Sequence, residues 1–553
     1  MASSLARRVF ALVAVTTIGL SIAAAPAWAV SHSSISGSGS SWAANAINQW
    51  VADVHNNQGL QIAFTPGGSA SGRKDFANST VDFGVSDIPY LGTDPSSGTS
   101  DTNNNRKFAY LPIVGGGTSF PYHLNGGPDA GGLFRNIRLS GPTLAGIFTG
   151  AIKYWDDPAI LGDNNGQLKL PHTPIVPVVH SEGSGSTAQF TRYLSKEDST
   201  IWQKFNGNDN MVEYYPVPSG SKIVAQNGSD GVMSFLTSAS GNGAIAFDEY
   251  SYALNANYPV AKILNSAGYY TLPTQYNDAV ALTLAQINND PTSQDYLTQN
   301  LDAVYTNPDP RTYPISSYSY MLLPIGASDG KTSTTAARQT LADFTTYSIC
   351  AGQAEMGPLG YSSLPLNLVK GGFAQIAKLK AADPNVDITS ATPESCNNPT
   401  FDRSNPSLNR LAEIAPKPPA CDQLGAGPCT ATGNVSVVIK AVGSAGAGGT
   451  GAGGAAGGAG AGGTGAGATG ATATTGTVAA AGSVDPVTGQ TVAAGSGTGA
   501  GAEAAVGNPV DLANSSKTVD GVLGGLAVLL FLAFLIVPAA LARRLGSSSG
   551  GAG

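Results

Sequence analysis

Three Gly/Ser-rich stretches of the chain carry hydroxyls and backbone amides that could bind a small anion: Ser36–Trp42, Gly67–Gly72 and His180–Thr187. Each stretch opens a predicted helix, and the first turn of a helix presents unpaired N–H groups and a partial positive charge. One such loop alone is a weak signal, because flexible Gly/Ser turns are common. The repetition, together with Asp87 at the end of a predicted strand, indicates a shared site for an anion.

The sequence around these stretches predicts the strands and helices that position them. Apolar residues alternate with polar ones before the second stretch and before Asp87, and an apolar run precedes the third, which is typical of strands. Apolar residues recur at helical spacing after the first and third stretches. The strand residues are Leu60, Ile62 and Phe64; Val81, Phe83 and Val85; and Pro174–Val179, and the helix residues are Ile47, Trp50, Val51 and Val54; and Phe190, Tyr193 and Leu194.

The main part of the chain has the composition of a folded α/β head. Strand-like and helix-like runs alternate there, separated by clusters of Gly, Pro, Asn and Asp. Roughly 380 residues exceed what one hydrophobic core usually holds, so we expect two lobes. The predicted boundaries are residues 30–430 for the head, 30–112 and 325–430 for lobe 1, and 113–324 for lobe 2. Two apolar strands, Tyr110–Val114 and Met321–Ile325, are predicted to lie near the hinge.

The N-terminal segment has the features of a secretory signal peptide. Arg7 and Arg8 precede the apolar stretch Val9–Ala25, and a small-residue cleavage pattern ends at Ala29. The sequence therefore predicts a signal peptide over residues 1–29, with an N-terminal membrane helix as the alternative. We expect an exported head that faces the outside of the cell.

The C-terminal region predicts a tether followed by a membrane anchor. Residues 431–516 are rich in Gly, Ala and Thr and cannot build a core, so we expect a flexible, disordered tether. Residues 517–545 contain the uncharged apolar run Gly521–Leu541, which two arginines follow. This pattern predicts one C-terminal transmembrane helix in the plasma membrane and a short cytoplasmic tail over residues 546–553. A buried helix is the alternative.

Charge and cysteine content limit the function classes. The formal net charge of −8 and the pI of about 5.1 argue against a nucleic-acid partner. The four cysteines of an exported chain could pair in three ways, and the shortest loops favour Cys350 with Cys396 and Cys421 with Cys429. No histidine lies among them and no CxxC spacing occurs, so we predict neither a zinc site nor a cofactor.

A set of ordered motifs gives the chain a family resemblance. The motifs are Ser36–Trp42, Val81–Asp87, Ile147–Asp157, Gly183–Ser186 and, more weakly, Gly243–Phe247 and Gly360–Pro365. Over most of residues 34–380 the chain resembles the substrate-binding component of bacterial ABC phosphate importers. The resemblance implies a two-lobed periplasmic-binding-protein fold of type II, which closes on inorganic phosphate and delivers it to an ABC permease. We expect a monomer that binds its ligand and is not an enzyme.

The resemblance also implies which groups contact phosphate. They are the hydroxyls of Ser41 and Ser69, the backbone N–H of Trp42, the carboxylate of Asp87, the hydroxyl and N–H groups of Ser184, Gly185 and Ser186, and the side chain of His180. Asp87 would select phosphate, because hydrogen phosphate can donate a proton to a carboxylate whereas sulfate has none to donate. A helix cap or a turn is the alternative role for Asp87.

His180 departs from the family pattern, which has an arginine two residues before an acid. Arginine is permanently charged, whereas the pKa of an unperturbed histidine is about 6.5. We therefore expect weaker or acid-favoured binding, or a second cation supplied by Arg73 or Lys74.

Other function classes remain as alternatives. Gly326–Gly330 fits the GxSxG nucleophile pattern around Ser328, but every histidine lies upstream of it, so the residue order of a hydrolase fails. A cell-surface phosphatase using His180 and Ser184 is a further alternative, as is an adhesive surface protein. The same fold could also bind another oxyanion or act as a phosphate sensor.

Overall fold

The computed structural model describes residues 31–94, 98–402, 404–405 and 407–429. The predicted signal peptide, tether, transmembrane anchor and cytoplasmic tail all lie outside these described residues. Among the residues that are described, no helix is both long enough and apolar enough to cross a membrane.

Short strands alternate with helices along the described chain, as the sequence predicts for an α/β protein. The strands are β1 (Ile35–Gly39), β2 (Ile62–Pro66), β3 (Phe83–Ser86), β4 (Gly92–Thr93), β5 (Ser100–Asp101), β6 (Phe108–Ser119), β7 (Arg138–Leu139), β8 (Val176–His180), β9 (Val224–Gln226), β10 (Ala244–Ala246), β11 (Asp248–Glu249), β12 (Lys262–Leu264), β13 (Tyr270–Thr271), β14 (Gln286–Ile287), β15 (Gln299–Asn300) and β16 (Ser316–Pro324). The helices are α1 (Ala44–Gln58), α2 (Ser69–Ala77), α3 (Gly141–Phe148), α4 (Pro158–Asp163), α5 (Gly185–Glu197), α6 (Ser199–Asn206), α7 (Gly228–Thr237), α8 (Tyr250–Asn255), α9 (Gln275–Ala281), α10 (Asp302–Tyr305), α11 (Thr335–Ile349), α12 (Met356–Leu359), α13 (Leu366–Ala382) and α14 (Arg410–Ile414).

The largest sheet has the strand order β11-β6-β16-β3-β1-β2. β1 runs parallel to β2 and β3, whereas β16 is antiparallel to both β3 and β6. β6 and β16 are buried along their whole length, and α9 and α13 both contact β6, which explains the apolar runs. The two strands that were predicted near the hinge are neighbours, with Met321 opposite Leu111.

Two smaller sheets occupy the middle of the chain. One is fully parallel and has the order β10-β8-β9, and the other has the order β13-β12-β7. The predicted apolar strand before the third Gly/Ser stretch is β8, and the predicted amphipathic helix after it is α5. Parallel strands joined through helices are the arrangement expected for an α/β fold.

The first Gly/Ser stretch differs from its prediction, because residues 36–39 form part of β1 instead of a loop before a helix. β1 lies between β2 and β3, so its small residues face close neighbours. A Cβ at Gly37 would overlap the ring of Phe83, and one at Gly39 would overlap the carbonyl of Val85. Close strand packing, rather than loop flexibility, accounts for these two glycines.

Both predicted disulfide bonds are confirmed, and they hold the C-terminal part of the described chain. Cys350, which follows α11, is bonded to Cys396, and Cys421 is bonded to Cys429. Between these bonds α14 packs against α9, and Lys262 forms a buried ion pair with Asp422 at 2.6 Å. Residues 410–429 therefore contact elements assigned to lobe 2 in the sequence, although they were placed in lobe 1. The exact lobe boundaries stay a prediction.

Candidate anion-binding site

Several residues predicted to bind the anion, and Ser40 next to them, follow the carboxyl ends of parallel strands. Ser40 and Ser41 follow β1, Ser69 opens α2 after β2, Asp87 follows β3, and His180 is the last residue of β8. Ligands of open α/β sheets bind outside the carboxyl ends of the strands. The topology alone therefore directs these side chains toward ligand-binding positions.

Asp87 is buried and surrounded by hydroxyl donors. Ser40 Oγ lies 2.9 and 2.7 Å from its two carboxylate oxygens, and Ser69 Oγ lies 3.0 Å from Oδ2. The backbone N–H of Asp87 donates to Ser69 Oγ at 3.1 Å, and Gln189 Nε2 donates to the Asp87 carbonyl at 2.8 Å. Burial raises the pKa of Asp87, while the hydroxyls of Ser319, Ser40 and Ser69 oppose that shift. The carboxylate is thus an acceptor held in a fixed position.

The N-terminus of α5 approaches Asp87 directly. A Cβ at Gly185 would overlap the Asp87 carboxylate, so only glycine permits this approach. Ser184 caps the helix, because its Oγ accepts the Thr187 N–H at 3.4 Å. Within the described part of the chain, Ser186 Oγ and Thr187 Oγ1 are buried hydroxyls that make no hydrogen bond. These hydroxyls and the helix dipole can act on an anion beside Asp87.

Ser41 faces another helix N-terminus, that of α7. The N–H and the hydroxyl of Ser229 both donate to Ser41 Oγ, at 3.3 and 3.0 Å. Because Ser41 Oγ accepts from both groups, its own hydrogen is directed elsewhere and can be donated to a ligand. The Trp42 indole is buried against Tyr361, with ring centroids 5.6 Å apart. The family resemblance implies that the backbone N–H of Trp42 serves the site.

His180 is fully buried between two carboxylates. Its Nδ1 lies 2.8 Å from Glu182 Oε1, and its Nε2 lies 3.9 Å from Asp248 Oδ1. Burial lowers the pKa of His180, but Glu182 and Asp248 outweigh burial and raise it. Burial also acts to raise the pKa of Glu182, but His180 and the Gly228 N–H, 3.0 Å from Oε2, lower it overall. Burial raises the pKa of Asp248 to about 6.

The additional cations expected from the sequence do not supply a free charge. Arg73 Nε lies 3.0 Å from Asp101 Oδ2, Nη2 lies 2.8 Å from Glu213 Oε2, and Nη1 donates to Ser86 Oγ at 3.0 Å. All three nitrogens of this buried guanidinium thus have protein partners, and Lys74 is exposed. These contacts do not favour the alternative in which Arg73 or Lys74 supplies a second cation, and that alternative stays a prediction.

Loops from the two parallel strand systems touch beside these groups. The backbone N–H of Ala70 donates to the carbonyl of Gly183 at 3.0 Å, and the Ser184 N–H donates to the carbonyl of Glu213 at 2.9 Å. The second and third Gly/Ser stretches are therefore in direct contact, and both adjoin Asp87. Ser41 and His180 approach the same region through the N-terminus of α7, since Ser229 contacts Ser41 and Gly228 contacts Glu182.

Sequence reasoning missed three polar residues of this site: Ser40, Ser229 and Asp248. Ser40 lies inside a stretch that was recognised, but its neighbour Ser41 was chosen instead. Ser229 follows the dipeptide Asn227-Gly228 after a short strand, which repeats the pattern of the other Gly/Ser helix starts. Asp248 directly follows the apolar strand β10 and Phe247, as Asp87 follows β3. The same two signals, applied to the whole chain, could have found them.

Ser328 lies apart from this arrangement. It is exposed in the loop after β16 and lines a cavity of about 410 Å³. Arg106, Lys107 and Asp329 are among the described residues that line this cavity, and no histidine is among them. Its surroundings therefore provide no imidazole base for a serine nucleophile.

The chain matches one family model over most of the region described above. Residues 24–352 match the model of the PBP superfamily domain. Parallel strands with polar residues at their carboxyl ends, in two neighbouring sheets, agree with this match. The chain therefore belongs to the PBP superfamily and has the α/β periplasmic-binding-protein fold.

Similarity to individual proteins narrows the family. The chain is 31% identical over 337 residues to the phosphate-binding protein PstS of Xylella fastidiosa strain Temecula1, covering 61% of this chain and 83% of that protein. It is 31% identical over 342 residues to PstS of Methanocaldococcus jannaschii, covering 60% and 83%. A solved periplasmic phosphate-binding protein, PfluDING, superposes with a TM-score of 0.45 at 21% identity, covering 71% of this chain and 99% of that chain. The sequence matches, not that superposition, place this chain in the PstS family of phosphate-binding proteins.

Proposed function

We propose that this protein binds inorganic phosphate outside the cytoplasm and delivers it to an ABC permease. One observation carries the proposal: buried hydroxyls and a helix N-terminus surround the single carboxylate of Asp87. Ser186 Oγ and Thr187 Oγ1 are buried, and neither has a hydrogen-bond partner among the described residues. Buried polar groups are normally hydrogen-bonded, so these groups are suited to a polar ligand. The names of the PstS relatives support phosphate as that ligand.

Hydroxyl and amide donors beside the Asp87 carboxylate suit phosphate better than sulfate. Hydroxyls, amides and the dipole of α5 would stabilise the charged oxygens, while Asp87 would accept the proton of hydrogen phosphate. Sulfate carries no proton near neutral pH, so it would face the carboxylate without a hydrogen bond to offset the repulsion. Ser40 and Ser69 donate to Asp87 in the structure, and Ser69 would rotate its hydroxyl to contact the anion.

The expected affinity follows from the number of hydrogen bonds. About six hydrogen bonds to a charged ligand, at roughly 1.5–3 kcal/mol each, sum to about 9–18 kcal/mol. The loss of translational and rotational freedom on binding removes several kcal/mol of this gain. Micromolar or tighter binding is the result that we expect.

Delivery to a permease sets where the head must lie. The predicted signal peptide and the two disulfide bonds, Cys350–Cys396 and Cys421–Cys429, support an oxidising, extracytoplasmic location. The predicted tether and C-terminal transmembrane helix would hold the monomeric head at the outer face of the plasma membrane, within reach of its permease.

Titration calorimetry with phosphate and with sulfate tests the proposed function. The native protein is expected to bind phosphate and to give no heat with sulfate. Asp87→Asn removes the negative charge and offers an amide donor, so we expect weaker phosphate binding and measurable sulfate binding. The expected narrowing of the phosphate-to-sulfate affinity ratio is at least about tenfold.

Asp75→Asn is the matched control for this change. Asp75 also accepts serine hydroxyls, from Ser38 at 2.7 Å and Ser71 at 3.3 Å, but these are not the serines that donate to Asp87. Its substitution is expected to leave the affinity ratio unchanged. Equal binding of sulfate and phosphate by the native protein would contradict the role of Asp87, and absence of phosphate binding would contradict the proposed function.

A further inference from the structure

The buried imidazole of His180 has acceptors on both sides. Nδ1 lies 2.8 Å from Glu182 Oε1, and Nε2 lies 3.9 Å from Asp248 Oδ1. Asp248 Oδ1 also accepts the Glu249 N–H at 2.8 Å, and Glu182 Oε2 accepts the Gly228 N–H at 3.0 Å. Each carboxylate is therefore fixed by a backbone N–H, and neither can rotate away from the ring without losing that bond.

The number of protons on the ring determines whether this arrangement is favourable. A neutral imidazole has one N–H, and an ionised carboxylate is only an acceptor. The short contact with Glu182 places that N–H on Nδ1, which leaves a lone pair on Nε2 directed at Asp248. Two acceptors then face each other in a buried site, where the repulsion is poorly screened. One additional proton, on Nε2 or on Asp248, removes the conflict.

The charged groups on the described elements around His180 are mostly carboxylates. Glu182 lies on the loop before α5, Asp248 and Glu249 form β11, Asp230 lies on α7, and Asp87 directly follows β3. Tyr252 on α8 donates its hydroxyl to the carbonyl of Ser41 at 2.7 Å. The charge of Arg73, on α2, is matched by Asp101 and Glu213. An incoming dianion would therefore meet several carboxylates and one titratable cation.

We propose that the protein takes up one proton from the solvent when it binds phosphate, and that this proton is held between His180 Nε2 and Asp248 Oδ1. The inference rests on the proposed function, since it concerns the same site. With the proton in place, His180 carries the positive charge that the family resemblance assigns to an arginine at this position. This coupling makes the affinity for phosphate higher at lower pH.

The direction of the pH dependence follows from linkage. The liganded state holds one more proton than the free state, so lowering the pH favours binding. Above the pH at which the free site loses this proton, the affinity falls by about tenfold for each pH unit. Below it the proton is already present, and the affinity no longer depends on this group.

Proton uptake can be measured by titrating the full chain with inorganic phosphate in buffers that differ in ionisation enthalpy. The titrations are run at a series of rising pH values, because Glu182 and Asp248 raise the pKa of His180. At the pH values where the free site has lost its proton, the native protein is expected to take up close to one proton more than His180→Arg. The variant carries a permanent charge, so its phosphate affinity should change little with pH. Any proton that phosphate itself gains is common to both proteins and cancels in the difference.

Two further variants make the result specific. His180→Gln cannot titrate and is smaller than arginine, so it should also lose the uptake and should bind phosphate more weakly than the native protein. His172→Arg is the matched control, because His172 Nδ1 lies 3.0 Å from Asp156 but its side chain is 70% exposed. It should keep the native uptake.

The outcomes separate this inference from the proposed function. Phosphate binding without excess proton uptake by the native protein, or with equal uptake by His180→Arg, would overturn the inference alone. Absence of phosphate binding by the native protein would overturn the proposed function and the inference with it.

Discussion

Two buried clusters beside the anion site share one plan but use different cations. Arg73 lies between Asp101 and Glu213, at 3.0 and 2.8 Å, and His180 lies between Glu182 and Asp248, at 2.8 and 3.9 Å. Both cations are completely buried, with no exposed side-chain surface. In each cluster one cation is thus enclosed by two carboxylates.

The difference lies in whether the cation can lose its charge. The guanidinium of Arg73 stays charged at any ordinary pH. It donates hydrogen bonds to Ser86, which precedes Asp87, and to Glu213. The carbonyl of Glu213 in turn accepts the Ser184 N–H. The imidazole of His180 can gain or lose a proton, and its two carboxylate neighbours raise its pKa. The Arg73 cluster therefore connects the two sides of the site at any pH. The charge of the His180 cluster, in contrast, can change when the ligand binds.

Loss of the permanent cation is expected to have the largest effect. Arg73→Met leaves Asp101 and Glu213 without their partner, and burial already raises the pKa of Glu213 to about 7 in the presence of Arg73. We expect the free energy of unfolding to fall by about 3–5 kcal/mol, because removing one partner of a buried ion pair leaves the other charge buried and unpaired. Chemical denaturation near neutral pH measures this change.

Arg192→Met is the control for the loss of a cation. Arg192 pairs with Asp302 at 2.8 Å, but the two side chains are 33% and 40% exposed. Exposed pairs contribute at most about 1 kcal/mol. If Arg73→Met lowered the free energy of unfolding no more than Arg192→Met does, the Arg73 cluster would not stabilise the two sides of the site as we infer.

A smaller effect, on the affinity for phosphate, is expected from a substitution near His180. Ser229→Ala removes the hydroxyl that donates to Ser41 Oγ at 3.0 Å, so the hydrogen of Ser41 is no longer directed away from α7. The phosphate affinity should weaken by about fivefold to tenfold, the value of one hydrogen bond of about 1 kcal/mol. Calorimetric titration with phosphate gives this ratio.

Ser234→Ala tests whether α7 is simply sensitive to substitution. Ser234 is exposed on the same helix, and its replacement should leave the phosphate affinity unchanged. An equal loss in both variants would mean that Ser229 supports the helix and does not orient Ser41.

The contrast also explains which parts of the site could be predicted. Asp87, Ser69 and the Ser184–Ser186 loop follow strong apolar strands, so strand periodicity and turn residues mark them in the sequence. Asp248 and Glu213, which are partners of His180 and Arg73, come from positions far away in the chain. Glu213 is 140 residues from Arg73, and nothing in local spacing links the two.

The fold was predictable for a similar reason and to a similar extent. Alternating apolar runs predict the α/β class, and the shortest loops predict both disulfide bonds. The assignment of residues 36–39 to a loop failed because Gly37 and Gly39 serve the close packing of β1 between two strands, a tertiary effect that composition hides. The path of residues 410–429 likewise depends on distant contacts, such as Lys262 with Asp422.

A crystal structure of the native protein grown with phosphate tests the central claim most directly. The account predicts one tetrahedral anion with oxygens about 2.5–3.2 Å from Ser41, Ser69 and Asp87, and from the hydroxyls and amides at the start of α5. It also predicts His180 still enclosed by Glu182 and Asp248. An anion bound elsewhere, or a complex in which Asp87 and Ser186 do not contact the same ligand, would contradict it.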